Sequence, residues 1–442
     1  MAGGSKGLSH QRLKEDRISQ LPDPLLTQIL NHLTTEEAVR SSVLSTRWRT
    51  LWLWVPNLEF SFSKFPSFNA FVSFGNWFFD SDRVSCIDSL KLSIDRNDAS
   101  YSYLTSWIDA LVKRKIQHLY VYRTRGAYPH EMPLSLYSCE SLVSLRLYRL
   151  TLVDAEFVSL PCLKILRLKD IVFTNEATFE RLVSSCPVLE YLKVDVVSND
   201  ANVYRVHSRS LKRFRLQRRS SRWFDYSGSG LVIDAPLLCF LRIDDDVSES
   251  YTLSDLESNA KLDVSLLCGM WEAKSRTMRS FLTWISRVRD MTICVKTFQL
   301  IDRYSKFAPL PQFGYMSSLY LTLIEPDIKQ FLIFLGSCPN LKSLILVMRQ
   351  IDFSKRLCPK VMKRVNISSV PECLLSSLEF VEFKTPICGL APEMKLVWYF
   401  VENSATLKKL TLRLKSHSTK DDFVKEHLKI PRGSTECEIV IL

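Results

Sequence analysis

Glycine is scarce in this chain, with 12 among 442 residues, and neither Gly-x-Gly-x-x-Gly nor Gly-Lys-Ser/Thr occurs, which excludes the common backbone cradles for nucleotide phosphates. No run of eighteen or more apolar residues is present, so no membrane-spanning helix is expected. Met1 to His10 is small and polar rather than basic then apolar, so no secretory signal is read there, and the expected location is cytoplasmic and/or nuclear. Paired cysteines are missing too. The twelve stand at 86, 139, 162, 186, 239, 268, 294, 338, 358, 373, 388 and 437 without a Cys-x-x-Cys, a spacing that suits small buried apolar residues in a reducing compartment better than disulfides or zinc. The seven histidines, at 10, 32, 118, 130, 207, 417 and 427, form no His-Glu-x-x-His. No metal, no cofactor and no catalytic activity are expected.

What is present is apolar content, 46% of the residues, enough for a chain that is globular throughout, together with a net charge of +12 that admits an acidic partner or nucleic acid without choosing between them. The stretch Arg17 to Trp54 holds more apolar surface than so few residues can bury. Asp23 reads as a helix N-cap with Pro24 at the first helical position, and Leu25, Leu26, Ile29, Leu30 and Leu33 follow at helical spacing. Thr34 and Glu37 have the form of a capping box opening a second helix through Ala38, Val39, Val43 and Leu44. Ser45 is placed to cap a third, carrying Trp48, Leu51 and Trp52.

The order Leu-Pro-Asp-x-Leu-Leu-x-x-Ile-Leu, an acidic second helix and a closing Arg-Trp-Arg-x-Leu-Trp resembles the F-box, specifically the plant type. The resemblance implies docking onto a Skp-type adaptor and through it a cullin-based ubiquitin ligase. It would assign adaptor contacts to Leu21, Pro22, Leu25, Leu26, Ile29, Leu33, Val43, Arg47, Trp48 and Trp52. Phe60 to Asp80, dense in Phe and broken by Pro66, reads as a packed joint.

Beyond it one pattern returns: apolar, two variable positions, apolar, one variable position, apolar. Copies beginning at Ile87, Ile116, Leu142, Leu163, Leu189, Leu211 and Leu238 are separated by 29, 26, 21, 26, 22 and 27 residues, the period of a leucine-rich repeat. Further copies start at Met316, Leu341, Leu378 and Leu407. Each offers one short strand that buries its apolar face only by stacking on its neighbours, so the product is a parallel-sheet solenoid. Proline in Leu160-Pro-Cys-Leu163, Cys186-Pro-Val-Leu189, Ala235-Pro-Leu-Leu238 and Cys338-Pro-Asn-Leu341 marks the turn into the strand. Thr178 to Ser185 and Ile328 to Ser337 are expected as outer helices, the latter with Phe331, Leu332, Phe334 and Leu335 inward. Residues 244 to 316 keep the pattern poorly, fitting once at Val288-Met291-Ile293, with a helical stretch from Trp271 to Trp284.

Val370-Pro-x-Cys-Leu, Leu378-Glu-x-Val-Glu-Phe and Glu402-Asn-Ser-Ala-x-Leu-Lys-Lys-Leu resemble the FBD module that closes many plant F-box and leucine-rich-repeat proteins. It reads as two more repeats with a helix from Glu393 to Asn403 between their strands, ending in a strand from Glu438 to Leu442. The expected organisation is α/β: a tail at 1–15, a three-helix F-box at 16–60, a leucine-rich-repeat solenoid at 61–365 and an FBD-type cap at 366–442.

Side chains alternate along a strand, so the residue between the last two apolar positions of each copy faces solvent. Five successive copies place Arg146, Arg167, Lys193, Arg215 and Arg242 there, with Tyr148, Ile165, Lys169, Tyr191, Asp195, Arg213, Phe240 and Asp244 nearby. This basic column either keeps an exposed sheet soluble, with Asp195 and Asp244 compensating locally, or binds an acidic or phosphorylated segment of a protein substrate. The substrate-facing candidates are Arg146, Arg167, Tyr191, Lys193, Arg215 and Arg242. A second basic run, Arg205 to Arg222, reads as one solvated repeat and its loop in preference to a nucleic acid site, because no nucleic-acid-binding motif accompanies it. The expected function is a substrate-recognition adaptor of an SCF-type (Skp–cullin–F-box) E3 ubiquitin ligase. The alternative is a repeat scaffold binding protein or nucleic acid without ligase coupling.

Overall fold

The computed structural model describes residues 17–18, 20–84, 87–94, 102–123, 130–196, 203–219, 229–245, 248–254, 260–266, 275–349, 370–387, 391–414 and 431–442. Two compact units divide the chain, residues 1–127 and 128–442.

The first unit begins with α1 (Asp23–Leu30), whose cap position is held by Pro22 rather than Asp23. Asp23 lies instead in the first helical turn, where a carboxylate complements the helix dipole, and Arg47 grips it at 2.6 Å. The capping box is formed as expected at the start of α2 (Thr35–Arg40): the Glu37 amide donates to the Thr34 hydroxyl and the Thr34 amide donates to the Glu37 carboxylate. Those bonds hold the Glu37 carboxyl below its usual pKa. α2 is shorter than expected, because the chain tightens into a 3-10 turn at Ser41–Val43 and carries Val43 and Leu44 off the helix. α3 (Trp48–Leu51) starts three residues after Ser45 and has Arg47 at its cap position, so Ser45 caps nothing.

β1 (Asn57–Ser61) follows, with Val55, Leu58 and Phe60 buried at the repeat spacing, one copy earlier than the sequence reading placed the first. α4 (Phe68–Asp80) is capped by the Ser67 hydroxyl, which accepts from the Ala70 amide. β2 (Ser89–Ile94), α5 (Ser102–Lys113) and β3 (His118–Arg123) complete the unit, with β1, β2 and β3 pairing in parallel and in register. The Phe-rich stretch is packed. Phe60 meets Phe78 edge-on at 4.9 Å, and a Cβ at Gly75 would fall 2.0 Å from the Trp107 ring, so glycine is what lets α4 and α5 approach.

The second unit opens with β4 (His130–Glu131), β5 (Ser144–Tyr148), β6 (Leu150–Leu152), β7 (Ile165–Lys169), β8 (Val172–Phe173) and α6 (Glu176–Ser184). It continues through β9 (Tyr191–Val196), β10 (Val203–His207), β11 (Arg213–Arg218), β12 (Gly230–Asp234), β13 (Phe240–Asp245), β14 (Ser250–Leu253) and β15 (Lys261–Leu266). Next are α7 (Ser275–Ile285), β16 (Asp290–Ile293), α8 (Val295–Ser305), β17 (Ser318–Leu323), α9 (Ile328–Leu335), β18 (Ser343–Met348) and α10 (Glu372–Ser376). β19 (Phe380–Ile387), α11 (Ala391–Asn403), β20 (Lys409–Leu414) and β21 (Glu438–Ile441) close it. Strands β5, β7, β9, β11, β13 and β15 to β21 form one parallel ladder in that order, while β4-β6-β8 and β10-β12-β14 make two small sheets.

The repeat pattern produces the ladder directly. In each strand the last two apolar residues of the pattern, such as Leu166 and Leu168 or Phe214 and Leu216, are buried and the residue between them faces outward. The prolines do what their position implies. The amides of Leu163, Leu189, Leu238 and Leu341 each donate to the carbonyl three residues back, closing a turn with proline at its second position, where its fixed φ is favoured. α6 and α9 are the expected outer helices, and Phe331, Leu332, Phe334 and Leu335 are all buried.

Three features differ from the expectation. Between residues 203 and 253 the return path runs through strands β10, β12 and β14 instead of helices, burying Tyr204, Val206, Leu231 and Ile233. β15 is a regular member of the ladder that the pattern misses, because Asn259 stands where the first apolar residue belongs and Ala260 is the buried neighbour. Cys162 and Cys239 are exposed in the turns that lead into β7 and β13, whereas Cys139, Cys186, Cys338, Cys373 and Cys437 are buried. α7 covers the helical stretch expected near 271–284, of which residues 271–274 lie outside the described ones.

Candidate functional site

In the first unit, the amphipathic pattern of α1 separates its leucines. Leu26 and Leu30 are fully buried, while Leu25, Ile29 and Leu33 remain exposed on the other side. Val43, carried outward by the 3-10 turn, is 85% exposed and Leu44 is 66% exposed. Five aliphatic side chains are thus left in water, a cost that a partner surface removes. Leu21 is partly covered and Pro22 exposed at the start of α1.

Trp48 and Trp52 take a different place from the one the resemblance gave them. Trp48 is buried, and Trp52 is buried against Phe74 and Phe78, at 6.0 and 5.7 Å between ring centres. With Leu26 they shape the helical module from within. Arg47 is committed to Asp23 and to the Leu21 carbonyl, so it locks α3 to the start of α1. Ile18 and Leu44 are exposed apolar residues outside the set of adaptor contacts that the resemblance implies.

In the second unit the parallel register brings the basic column together. Arg146 faces Arg167, which faces Lys193, then Arg215, then Arg242, on β5, β7, β9, β11 and β13. Like charges directly opposite one another destabilise a sheet, so something must offset them. Part of the offset is aromatic. The Arg167 guanidinium lies 5.0 Å from the Tyr191 ring centre and Arg215 lies 5.2 Å from that of Phe240, with Arg213 at 6.0 Å from Tyr191 and 5.6 Å from Phe240. Such stacking contributes about 0.5–1 kcal/mol per exposed pair and holds the planar groups flat.

The next residue in the row is an acid. Asp263 on β15 pairs with Arg242 at 3.2 Å, and Lys261 beside it pairs with Asp290 at 3.7 Å. Burial raises the Asp263 carboxyl above its usual range, and the neighbouring Arg242 and Arg215 pull it back. Arg242 is therefore occupied, whereas among the described residues Arg167, Lys193, Arg213 and Arg215 have no carboxylate within ion-pair distance. Arg167, Arg213 and Arg215 line a cleft of about 410 Å³ with Ile165, Glu190, Tyr191 and Lys212. Its one acid, Glu190, lies 3.5 Å from Lys212. Ile165 and Arg213 stand in the same row as the candidate Tyr191, one outward position before the column, and Lys212 lies in the turn before β11, where strand alternation gives no signal.

The second basic run does not form one surface. Strand alternation sends its members apart: Arg205 pairs with Glu176, Arg219 with Asp244, and Arg218 is buried over the Tyr204 ring, donating to the Ser248 hydroxyl at 2.6 Å. Residues 220–222 of that run lie outside the described ones. Among the described residues no cluster of three or more His, Cys, Asp or Glu is placed to hold a metal, and no helix is long and apolar enough to cross a membrane.

Helical module, repeat ladder and closing strands each match a known family. Residues 18–60 match the F-box domain, residues 104–254 match the family described as FBD-associated F-box protein At5g56370, LRR repeats, and residues 366–412 match FBD. Among Arabidopsis thaliana proteins, the F-box/FBD/LRR-repeat protein At2g05300 is 73% identical over 441 residues, covering 99% of both chains. Two others with that description are similar: At3g23955 is 61% identical over 96% of this chain and 85% of its own, and At5g25850 is 50% identical over 98% and 97%. The chain belongs to the plant F-box/FBD/LRR-repeat proteins. An F-box implies an adaptor role through a Skp-type partner.

Proposed function

We propose that this chain is the substrate-recognition adaptor of an SCF-type E3 ubiquitin ligase. The F-box, assigned to 16–60, docks a Skp-type adaptor and through it a cullin. The repeats, assigned to 61–365, capture a protein substrate. The FBD, assigned to 366–442, caps the stack, and residues 1–15 are a tail. The chain performs no bond chemistry itself. It works by tethering, raising the effective concentration of substrate lysines near the ubiquitin donor.

Support for the docking half is the exposed face of Leu25, Ile29, Leu33, Val43 and Leu44 on a module that matches the F-box. Leu21 and Pro22 border it, and Leu26, Arg47, Trp48 and Trp52 hold its shape. For the recognition half, the support is the row Arg167, Lys193 and Arg215, which among the described residues has no carboxylate within ion-pair distance, with Arg167 over Tyr191, Arg215 over Phe240, and Arg146 and Arg242 at its ends. An acidic protein segment satisfies those charges.

Pull-down with a purified Skp-type adaptor tests this reading. The intact chain is expected to be retained and the double variant Leu25→Asp/Ile29→Asp to be lost. No retention of the intact chain would leave a repeat scaffold without ligase coupling.

A further inference from the structure

The register carries the basic row onward into a part of the sheet with a different surface. After Asp263 the same outward position is Thr292 on β16, Tyr320 on β17 and Ile345 on β18. One step along the strands, Thr322 faces Val347. All of these are partly exposed, and among Thr292, Tyr320, Ile345, Thr322 and Val347 none carries a charge. Tyr320, Ile345 and Val347 therefore form an apolar patch in the same row, and on the same side of the sheet, as Arg167, Lys193 and Arg215, bordered by the Lys384 ammonium 5.3 Å from the Tyr320 ring centre and by Glu382, which follows Ile345 in the row.

Between the two lie the closed ion pairs Arg242–Asp263 and Lys261–Asp290, which present no unmet charge. The row thus has two places that a ligand can improve: unmatched cations at β7 to β11, and half-exposed apolar side chains at β17 and β18. β11 and β17 are four strand spacings apart in the ladder. At about 4.8 Å per strand that is about 19 Å, which an extended chain rising about 3.3 Å per residue covers in about six residues.

We propose that the substrate is read as a bipartite extended segment, with acidic residues over Arg167, Lys193 and Arg215 and one apolar side chain about six residues away over Tyr320 and Ile345. This rests on the reading of the basic row as the substrate site and adds to it a second contact and a spacing. Charge complementarity fixes one end of the segment, and the half-exposed side chains of Ile345, Val347 and Tyr320 fix what belongs at the other. The acidic end speeds encounter, and the apolar end lengthens residence.

Synthetic peptides separate this from simple charge attraction. Fluorescence anisotropy is measured on the full chain with labelled peptides holding an Asp-Glu-Asp triplet in a Gly/Ser background, without or with one Phe placed 2, 6 or 12 residues from it on either side. The triplet alone is expected to bind weakly, and Phe at 6 on one side to tighten binding at least fivefold, more than Phe at 2 or 12. Ile345→Thr, which keeps a β-branched residue in the strand, is expected to remove most of that gain and leave the triplet-only affinity unchanged, the latter also reporting that the sheet is intact. Equal affinities with and without Phe at every spacing overturn the bipartite reading while leaving the basic row standing. No binding by any acidic peptide overturns the basic row and the inference with it.

Discussion

The face of Leu25, Ile29, Leu33, Val43 and Leu44 and the row of Arg167, Lys193 and Arg215 are both unsatisfied surfaces, but they are unsatisfied in different ways. The first leaves aliphatic carbon in water, a cost that scales with area and responds little to salt. The second leaves like charges facing one another across strands, a cost that salt screens and an anion removes. The first suits a partner that stays, the second one that exchanges. The proposed function calls for both kinds, because a place in a ligase must outlast many substrates.

The largest effect expected on either surface is from Leu25→Asp/Ile29→Asp. Burying two carboxylates where two central apolar side chains sat costs at least about 3 kcal/mol, so adaptor affinity falls by about 100-fold or more, measured by calorimetry, with no change in binding of an acidic peptide. Salt divides the two surfaces next. Raising ionic strength from about 50 to about 300 mM shortens the screening length by more than half, so acidic-peptide affinity drops about tenfold and adaptor affinity less than about threefold. Comparable salt slopes would erase the distinction between the two surfaces.

Within the row, Arg215→Glu and Arg242→Glu sharpen the comparison further. Among the described residues Arg215 has no carboxylate within ion-pair distance and is expected to contribute about 1–2 kcal/mol to acidic-peptide binding, whereas Arg242 is already held by Asp263 and its reversal costs about half as much. The smallest effect belongs to Asp263→Asn, which frees Arg242 and tightens acidic-peptide binding about twofold. Burial raises the Asp263 carboxyl in the folded chain, so its ionised form opposes folding at neutral pH and the opposition fades as pH falls through that raised value. Asp263→Asn is therefore expected not to lower the melting temperature at pH 7, and any gain shrinks toward acidic pH.

Much of this was legible in the residues. Alternation made the ladder readable, because an outward residue between two buried ones repeats at every strand, and the registry of Arg167, Lys193 and Arg215 follows from that alone. Pairing across strands was not. Asp263 sits on the one ladder strand between 238 and 316 whose first apolar position is Asn259, so its bond to Arg242 and the break it makes in the basic column were invisible. Helical spacing likewise marks Leu25 and Leu26 alike as apolar. Which of them meets solvent depends on the side of α1 that packs against α3 and the Trp52–Trp54 turn, brought to it across turns that propensity does not fix. The same holds for Gly75, which looks like a helix-weakening residue until Trp107 from α5 occupies the space above it.

The most direct test captures a Skp-type adaptor on a surface, flows the intact chain over it, and then flows the acidic peptide with Phe six residues from its triplet. The chain is expected to stay and the peptide to add a further signal, and Arg167→Glu/Lys193→Glu/Arg215→Glu to stay without capturing the peptide. An intact chain that washes off the adaptor would contradict the tethering role.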